Sequence, residues 1–492
     1  MNQEKTIHTL SKLNPRCFGV KPRNNGNVFS PPRWNRDFQH YVLILTAAAF
    51  ALLQIGIAGY SIGVGNQTIQ IPFVQRFADG GLYARDVTLN NTIDQYPSYF
   101  YRLLALLCKK QRPEYRDYRR LVDYKIVYAF FHLLSGFLLA LAILHASLVL
   151  WRSLSPGLIC LTILLAGHHR GLAGADLYFA GFTHTWFSFA IAVWSFVFLW
   201  QQRFTWSLIT VGLLFNLHAL MAAYTAVFLL VMYVSLRCFG TKPRNNGDNG
   251  DWRRFLLSGL LAVVCALPTL VFMMVHTAEY STRWFALMFI RSSHHSFPLS
   301  LWQSGDTSIP RFASLIGLGI LCIPLLHERL HRRMMIAVIM TTIALFVVGV
   351  LATDYSIVVR AQLWRCSAFP LLLTILVIAQ GLWRCWQQQE HPSPRFANRV
   401  DETGRARLLP SLSGIRHRFG KASPSHSHQG FRFHGLVLAL TVLVCTVPAL
   451  INNVYLCFCL LTISACLLAI ISWQLALLIS MCHVVCLSAI FF

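Results

Sequence analysis

Four polar stretches of this chain carry the side chains that do chemistry, and each is set between apolar runs. "FADGGLYARDVTLNN" holds Asp79, Arg85 and Asp86. "GHHRGLAGADLYFAGFTHTW" holds His168, His169, Arg170, Asp176 and His184. "HTAEYSTRWFALMFIRSSHHSFP" holds His276, Glu279, Arg283, Arg291, His294 and His295. "TDYSIVVRAQLWRCSAF" holds Asp354, Arg360 and Arg365. A further histidine, His218, interrupts the apolar run "LLFNLHALMAAY". Carboxylates and imidazoles move protons, and guanidiniums hold anions. Ionisable groups near a bilayer are costly and are kept for function.

Each of these residues also has a plain explanation. A lone acid on a loop is usually solvated, and Asp79 beside Gly80 and Gly81 reads as a turn residue. Adjacent histidines such as His294 and His295 point in different directions, so they form a poor metal pattern. Arg360 and Arg365 flank the start of an apolar run, where cations commonly reach for headgroups. The functional reading gains weight from the combination, because all of these groups fall on one side of the membrane once the spans are assigned.

The elements that position them are apolar helices. Of 492 residues, 55% are hydrophobic and only 12% charged, about half the charge of a soluble domain. Apolar runs at 41–63, 125–150, 154–168, 177–200, 204–217, 219–238, 254–275, 311–326, 334–352, 367–386, 435–451, 453–472 and 474–492 predict an all-α polytopic transmembrane bundle of about 12–13 spans. The net charge of +24 fits basic cytoplasmic loops facing anionic lipid, without any nucleic-acid partner. The 14 cysteines show no metal spacing and no disulfide framework. The first run lacks a cleavage site and reads as an anchor.

Charge sets the sidedness. Residues 1–40 form a basic cytoplasmic tail, 41–386 a transmembrane core with outer loops, 387–434 a basic cytoplasmic linker, and 435–492 the last spans. The loop at 239–253 joins the cytoplasmic side only if the chain makes a hairpin at His218. The outer segments are then 64–124, 169–176, the His218 tip, 276–310 and 353–366. "YFYRLLALLCKK" within the first of these has one apolar face and a basic end, as a helix lying in the membrane interface would. The motif Arg-Cys-Phe-Gly-x-Lys-Pro-Arg-Asn-Asn-Gly occurs twice, from Arg16 and from Arg237. It is turn chemistry in cytoplasmic segments, and it reads as a tolerated insertion.

The long loop after the first span, "NQTIQIPFVQRFADGGLYARDVTLNN", resembles the GT-C superfamily of membrane glycosyltransferases and its bacterial multi-pass relatives. So do "FNLHALMAAY", "RSSHHSFP" and "QLWRCSAF". These patches cover about a fifth of the chain, and the paired acids of several family members are absent at 85–87. The resemblance implies a GT-C-like fold in a bacterial inner membrane. It also implies sugar transfer from a polyprenyl-phosphate-linked donor on the outer face, with membrane lipids and the lipid-linked donor as partners. Asp86 would be the base and Arg85 its neighbouring cation. Arg360 or Arg365 would meet the phosphate. His218, His294 and His295 would help bind the donor, the last two by orienting its phosphate or by ligating a divalent ion. The competing classes are a membrane transporter, for which no inverted repeat is visible, and a non-catalytic multi-pass protein.

Overall fold

A computed structural model describes residues 36–93, 96, 98–108, 123–166, 171–177, 179–239, 248–276, 295, 308–326 and 328–390. Both copies of the repeat core, the tract from 109 to 122, His168, His169, Arg170, His294 and the runs after 434 lie outside the described residues. The chain divides into Met1–Val42 and Leu43–Phe492, and every contact below belongs to the second unit.

All elements among the described residues are helical. The apolar ones are α1 (Arg36–Ala58), α5 (Tyr124–Trp151), α6 (Ser155–Ala166), α7 (His184–Trp200), α8 (Phe204–Leu217), α9 (Ala219–Phe239), α10 (Asp248–Val275), α11 (Ser308–Cys322), α12 (Arg329–Leu351) and α14 (Ala368–Glu390). Short helices α2 (Gln67–Ala78), α3 (Val87–Ile93), α4 (Phe100–Leu107) and α13 (Ser356–Ala361) connect them. Six helical stretches are long and apolar enough to cross a membrane, and four shorter apolar helices accompany them. The chain is therefore an integral membrane protein. The ten runs read within 41–386 each overlap one of these helices, and the remaining three of the expected 12–13 fall after 434.

Several helices begin or end a few residues away from the sequence reading, and two of these shifts shape the polar end. The run at 41–63 stops being helix at Ala58, because Gly59, Gly63 and Gly65 take positive φ and lead the chain out. The run at 177–200 becomes helix only at His184, where the Thr183 hydroxyl caps it by accepting from the Trp186 N–H at 3.2 Å. A hydroxyl cap satisfies one of the otherwise orphaned N–H groups of the first turn.

The hairpin at His218 is present. His218 is extended (φ −156, ψ 91) between α8 and α9. The Phe204 ring at the start of α8 lies 5.2 Å from the Tyr233 ring near the end of α9. The chain therefore doubles back. Next, α10 runs parallel to α8, as three levels of contact show. The hydroxyls of Thr205 and Ser258 pair at 2.9 Å. A Cβ on Gly212 would run into the Ala262 carbonyl oxygen. Asn216 donates to the Cys265 carbonyl at 2.6 Å and accepts from the Thr269 hydroxyl at 2.9 Å. In lipid the hydrophobic effect does not drive helices together, so close backbone approach at a small residue and hydrogen bonds across the seam hold such pairs. The far side of α10, with Leu256, Leu260, Leu267, Val271 and Met274, is exposed and apolar, as a lipid-facing stripe must be.

The polar connections meet at one end of these helices. The Ser61 N–H donates to the Ala180 carbonyl at 2.9 Å, and the Tyr99 N–H to the Asn216 carbonyl at 2.9 Å. The Ser98 hydroxyl donates to the Leu217 carbonyl at 2.7 Å, and the Leu172 N–H to the Ser367 hydroxyl oxygen at 2.7 Å. Above the spans α2 and α4 pack on an aromatic cluster of Phe73, Phe100, Tyr101, Phe131, Phe182 and Phe187. The Gln67 amide ties α2 to the Phe182 carbonyl at 2.9 Å. Ser98, Tyr99, Leu172 and the helices α2 and α4 belong to segments the sequence assigned to a common side, whereas Ser61, Ala180 and Ser367 lie at the ends of the adjoining apolar runs.

Candidate functional site

Three pieces of chain build a pocket at that end. The first is the start of α7, where Thr185 follows His184 in the first turn. The second is the start of α9, where His218 acts as cap: its Nδ1 accepts from the Met221 N–H at 3.3 Å. The third is a 3-10 turn, Leu363–Ser367, which carries Arg365. Asp176, Thr185, His218, Tyr224 and Arg365 supply the polar lining, with Phe179, Phe189 and Met221 among the apolar lining. The pocket has the room of about one water. The first turns of two helices face the pocket, and helix N-termini carry partial positive charge. With the guanidinium they supply donors on one side of the pocket, and the Asp176 carboxylate lines it as well.

The Arg365 turn is held from three directions. The Tyr224 hydroxyl donates to the Ala361 carbonyl and to the Gln362 carbonyl, the latter at 2.8 Å. The Trp364 ring stacks on Phe346 of α12 at 4.4 Å and 7°. The Ser367 hydroxyl oxygen receives the Leu172 N–H. Gln362 itself is left-handed at φ 43, ψ 49, a conformation that costs a non-glycine residue about 1–2 kcal/mol. The packed Trp364 and the Tyr224 bonds offset that strain. The Gln362 amide oxygen then accepts from Arg365 Nη1 at 2.9 Å. Asp176, Tyr96 and Tyr224 lie within electrostatic range of the guanidinium.

Two imidazoles stack beside the pocket. The rings of His184 and His218 are 4.5 Å apart and inclined by 17°. His184 is surrounded by polar groups of the overlying helices: Tyr101 Oη at 2.9 Å and Gln70 Nε2 at 3.2 Å from Nδ1, and Tyr96 Oη at 3.2 Å from Nε2. Burial first, then His184 and Arg365, hold His218 well below its ordinary value of 6.5, against one opposing backbone hydrogen bond. Burial likewise pushes the phenols of Tyr96 and Tyr101 up. The pocket's formal charges therefore come from Arg365 and Asp176.

Of the residues singled out in the sequence, Asp176, His218 and Arg365 line this pocket, and His184 stacks beside it. His295 lies nearby without lining it; its Nδ1 is 2.8 Å from the Ala173 carbonyl oxygen and its ring covers Gly174. Arg360 is exposed on α13. Arg85 and Asp86 are exposed ahead of α3, and Asp86 Oδ1 accepts from the Leu89 N–H at 2.8 Å as a helix cap. Neither is among the pocket-lining residues. Among the described residues, no three His, Cys, Asp or Glu side chains gather as a metal site needs. Sequence reasoning passed over Thr185 and Tyr224. The signal for Thr185 was its place two residues after a capping threonine in "FTHTW". Comparison of the chain with protein-family models, with curated proteins and with solved structures gave no match.

Proposed function

We propose that this integral membrane protein is a glycosyltransferase of GT-C-like type that transfers a sugar from a polyprenyl-phosphate-linked donor. One observation carries the reading. Arg365 and Asp176 line one pocket with two helix N-termini, at the end of the helices where the polar segments meet. The reaction breaks the bond between the sugar's anomeric carbon and the phosphate oxygen, and forms one to an acceptor hydroxyl. The departing phosphate gains charge, which Arg365 and the helix N-termini are placed to stabilise. The acceptor's proton needs a carboxylate, and Asp176 is the pocket-lining one. Asp86 serves in this reading as a helix cap. A pocket with room for one water implies that the α9 start and the Arg365 turn part when the donor enters.

The test offers radiolabelled polyprenyl-phosphate sugars to the purified protein in lipid nanodiscs. Transfer from at least one donor is expected, with loss in Asp176→Asn and Arg365→Ala and retention in Asp86→Asn. Loss in Asp86→Asn with retention in Asp176→Asn would return the base to Asp86. Failure to bind or use any donor ends the glycosyltransferase reading.

A further inference from the structure

Thr185 sits where it can do more than line the wall. It is buried, with 7% of its surface exposed, and its Oγ1 lies 3.2 Å from His218 Nε2. The direction of that bond follows from the other side of the imidazole ring. His218 Nδ1 faces the Met221 backbone N–H, and a backbone N–H only donates. Nδ1 is therefore the acceptor, the neutral ring carries its proton on Nε2, and Thr185 Oγ1 accepts. A threonine hydroxyl that accepts still has its own hydrogen to give. In a helix interior that hydrogen would go to the carbonyl one turn back. Here α7 begins at His184, so no helical turn precedes Thr185. The pocket is the direction left to it.

We propose that Thr185 is the pocket's second anion donor: His218 turns the Thr185 hydroxyl hydrogen into the cavity, where it and the Arg365 guanidinium hold the oxygens of a phosphate group. This rests on the reading that the pocket receives the phosphate of a lipid-linked donor. His218 is then a positioning residue, acting on the ligand through Thr185. The titratable and charged groups around it are His184, stacked on its ring, with Tyr96 and Tyr101 behind, and Arg365, Asp176 and Tyr224 in the pocket. A proton on Nδ1 would set one N–H against the Met221 N–H, so the relay runs one way.

Binding is measured by calorimetry on the detergent-purified protein, with farnesyl phosphate, inorganic phosphate and farnesol as probes. Farnesyl phosphate should bind and farnesol should not. Thr185→Val keeps the shape and removes the hydroxyl, and it should weaken farnesyl phosphate about tenfold, the size of one hydrogen bond to a charged group. Thr185→Ser should bind within about twofold of wild type. His218→Asn keeps a good helix cap but is too short to reach Thr185. It should weaken binding like Thr185→Val, and the double variant should add nothing further. Equal binding by wild type and Thr185→Val would overturn the proposal while leaving the pocket's phosphate reading intact, and so would full-strength binding by His218→Asn. Binding of inorganic phosphate as tight as farnesyl phosphate would keep Thr185 and remove the lipid from the ligand. No binding of either phosphate by the folded wild type would remove the reading and the proposal together.

Discussion

Two places at the same end of the molecule hold an arginine and an aspartate close in sequence or space. Arg85 and Asp86 sit on an exposed connection, where the carboxylate caps a seven-residue helix. Arg365 and Asp176 come from segments almost two hundred positions apart and line a pocket between helix starts. In water an ion pair or a single cap is worth little, because solvent screens the charge and competes for every bond. Between packed helices the same groups interact through a medium of lower dielectric and keep fixed positions. Enclosure, more than residue type, separates a surface pair from a candidate site.

The largest expected effect tests this contrast directly. Arg365→Ala should lower sugar transfer by about 100-fold or more, the usual size for removing a donor from a developing oxyanion. Arg85→Ala should leave the rate unchanged in the same nanodisc assay. Equal losses would erase the distinction between the two regions.

Next in size is the packing that holds each region. A Cβ on Gly349 would come within 2.9 Å of Trp364 Nε1, so Gly349→Ala should push the ring that wedges the Arg365 turn and destabilise the protein by about 1–3 kcal/mol. Gly81 lies near Asp86, and its Cβ would meet only Asp79 Oδ1, at 3.3 Å. Gly81→Ala should stay within about 0.5 kcal/mol of wild type. Thermal unfolding in detergent reads both.

The third effect depends on pH. His218 in the folded protein titrates well below its ordinary value of 6.5, so the unfolded chain takes up its proton first as the solution is acidified. Stability from this group is full above 6.5 and declines as pH falls below it. The melting temperature of wild type should drop from pH 7 to pH 5 more steeply than that of His218→Asn. Parallel curves would place His218 in contact with water. The last effect belongs to Asp86→Ala, which removes a helix cap and should cost about 1 kcal/mol without changing the transfer rate.

The sequence located the helices well because lipid leaves few alternatives. An apolar run must satisfy its own backbone, and it does so as a helix. The hairpin at His218 followed from charge alone, since a basic loop at 239–253 could share the side of the basic N-terminus only if the chain turned there. The helix starts were harder to place. The apolar run beginning at 177 includes a turn and an extended stretch before Thr183 caps α7, and hydropathy does not register that change. The pocket was visible in part. Arg365 and His218 stand out as ionisable groups within apolar sequence, whereas Thr185 and Tyr224 are ordinary in such surroundings. Asp86 and Asp176 look alike along the chain, each within a few residues of Leu-Tyr and of glycine. What separates them is the tertiary packing that leaves one in solvent and places the other opposite Arg365.

Two short apolar helices bear on the shape of the membrane itself. At 12 and 14 residues, α6 and α8 reach only about 18–21 Å along their axes, against a hydrocarbon thickness of about 30 Å. A bilayer meeting so short a hydrophobic wall becomes thinner, or the headgroups sink toward it. The tip of α8 is His218, so the pocket would lie at the floor of a dimple in one leaflet. A charged headgroup could then arrive at Arg365 by sliding sideways and downward with its own hydration, instead of being lifted out of the lipid.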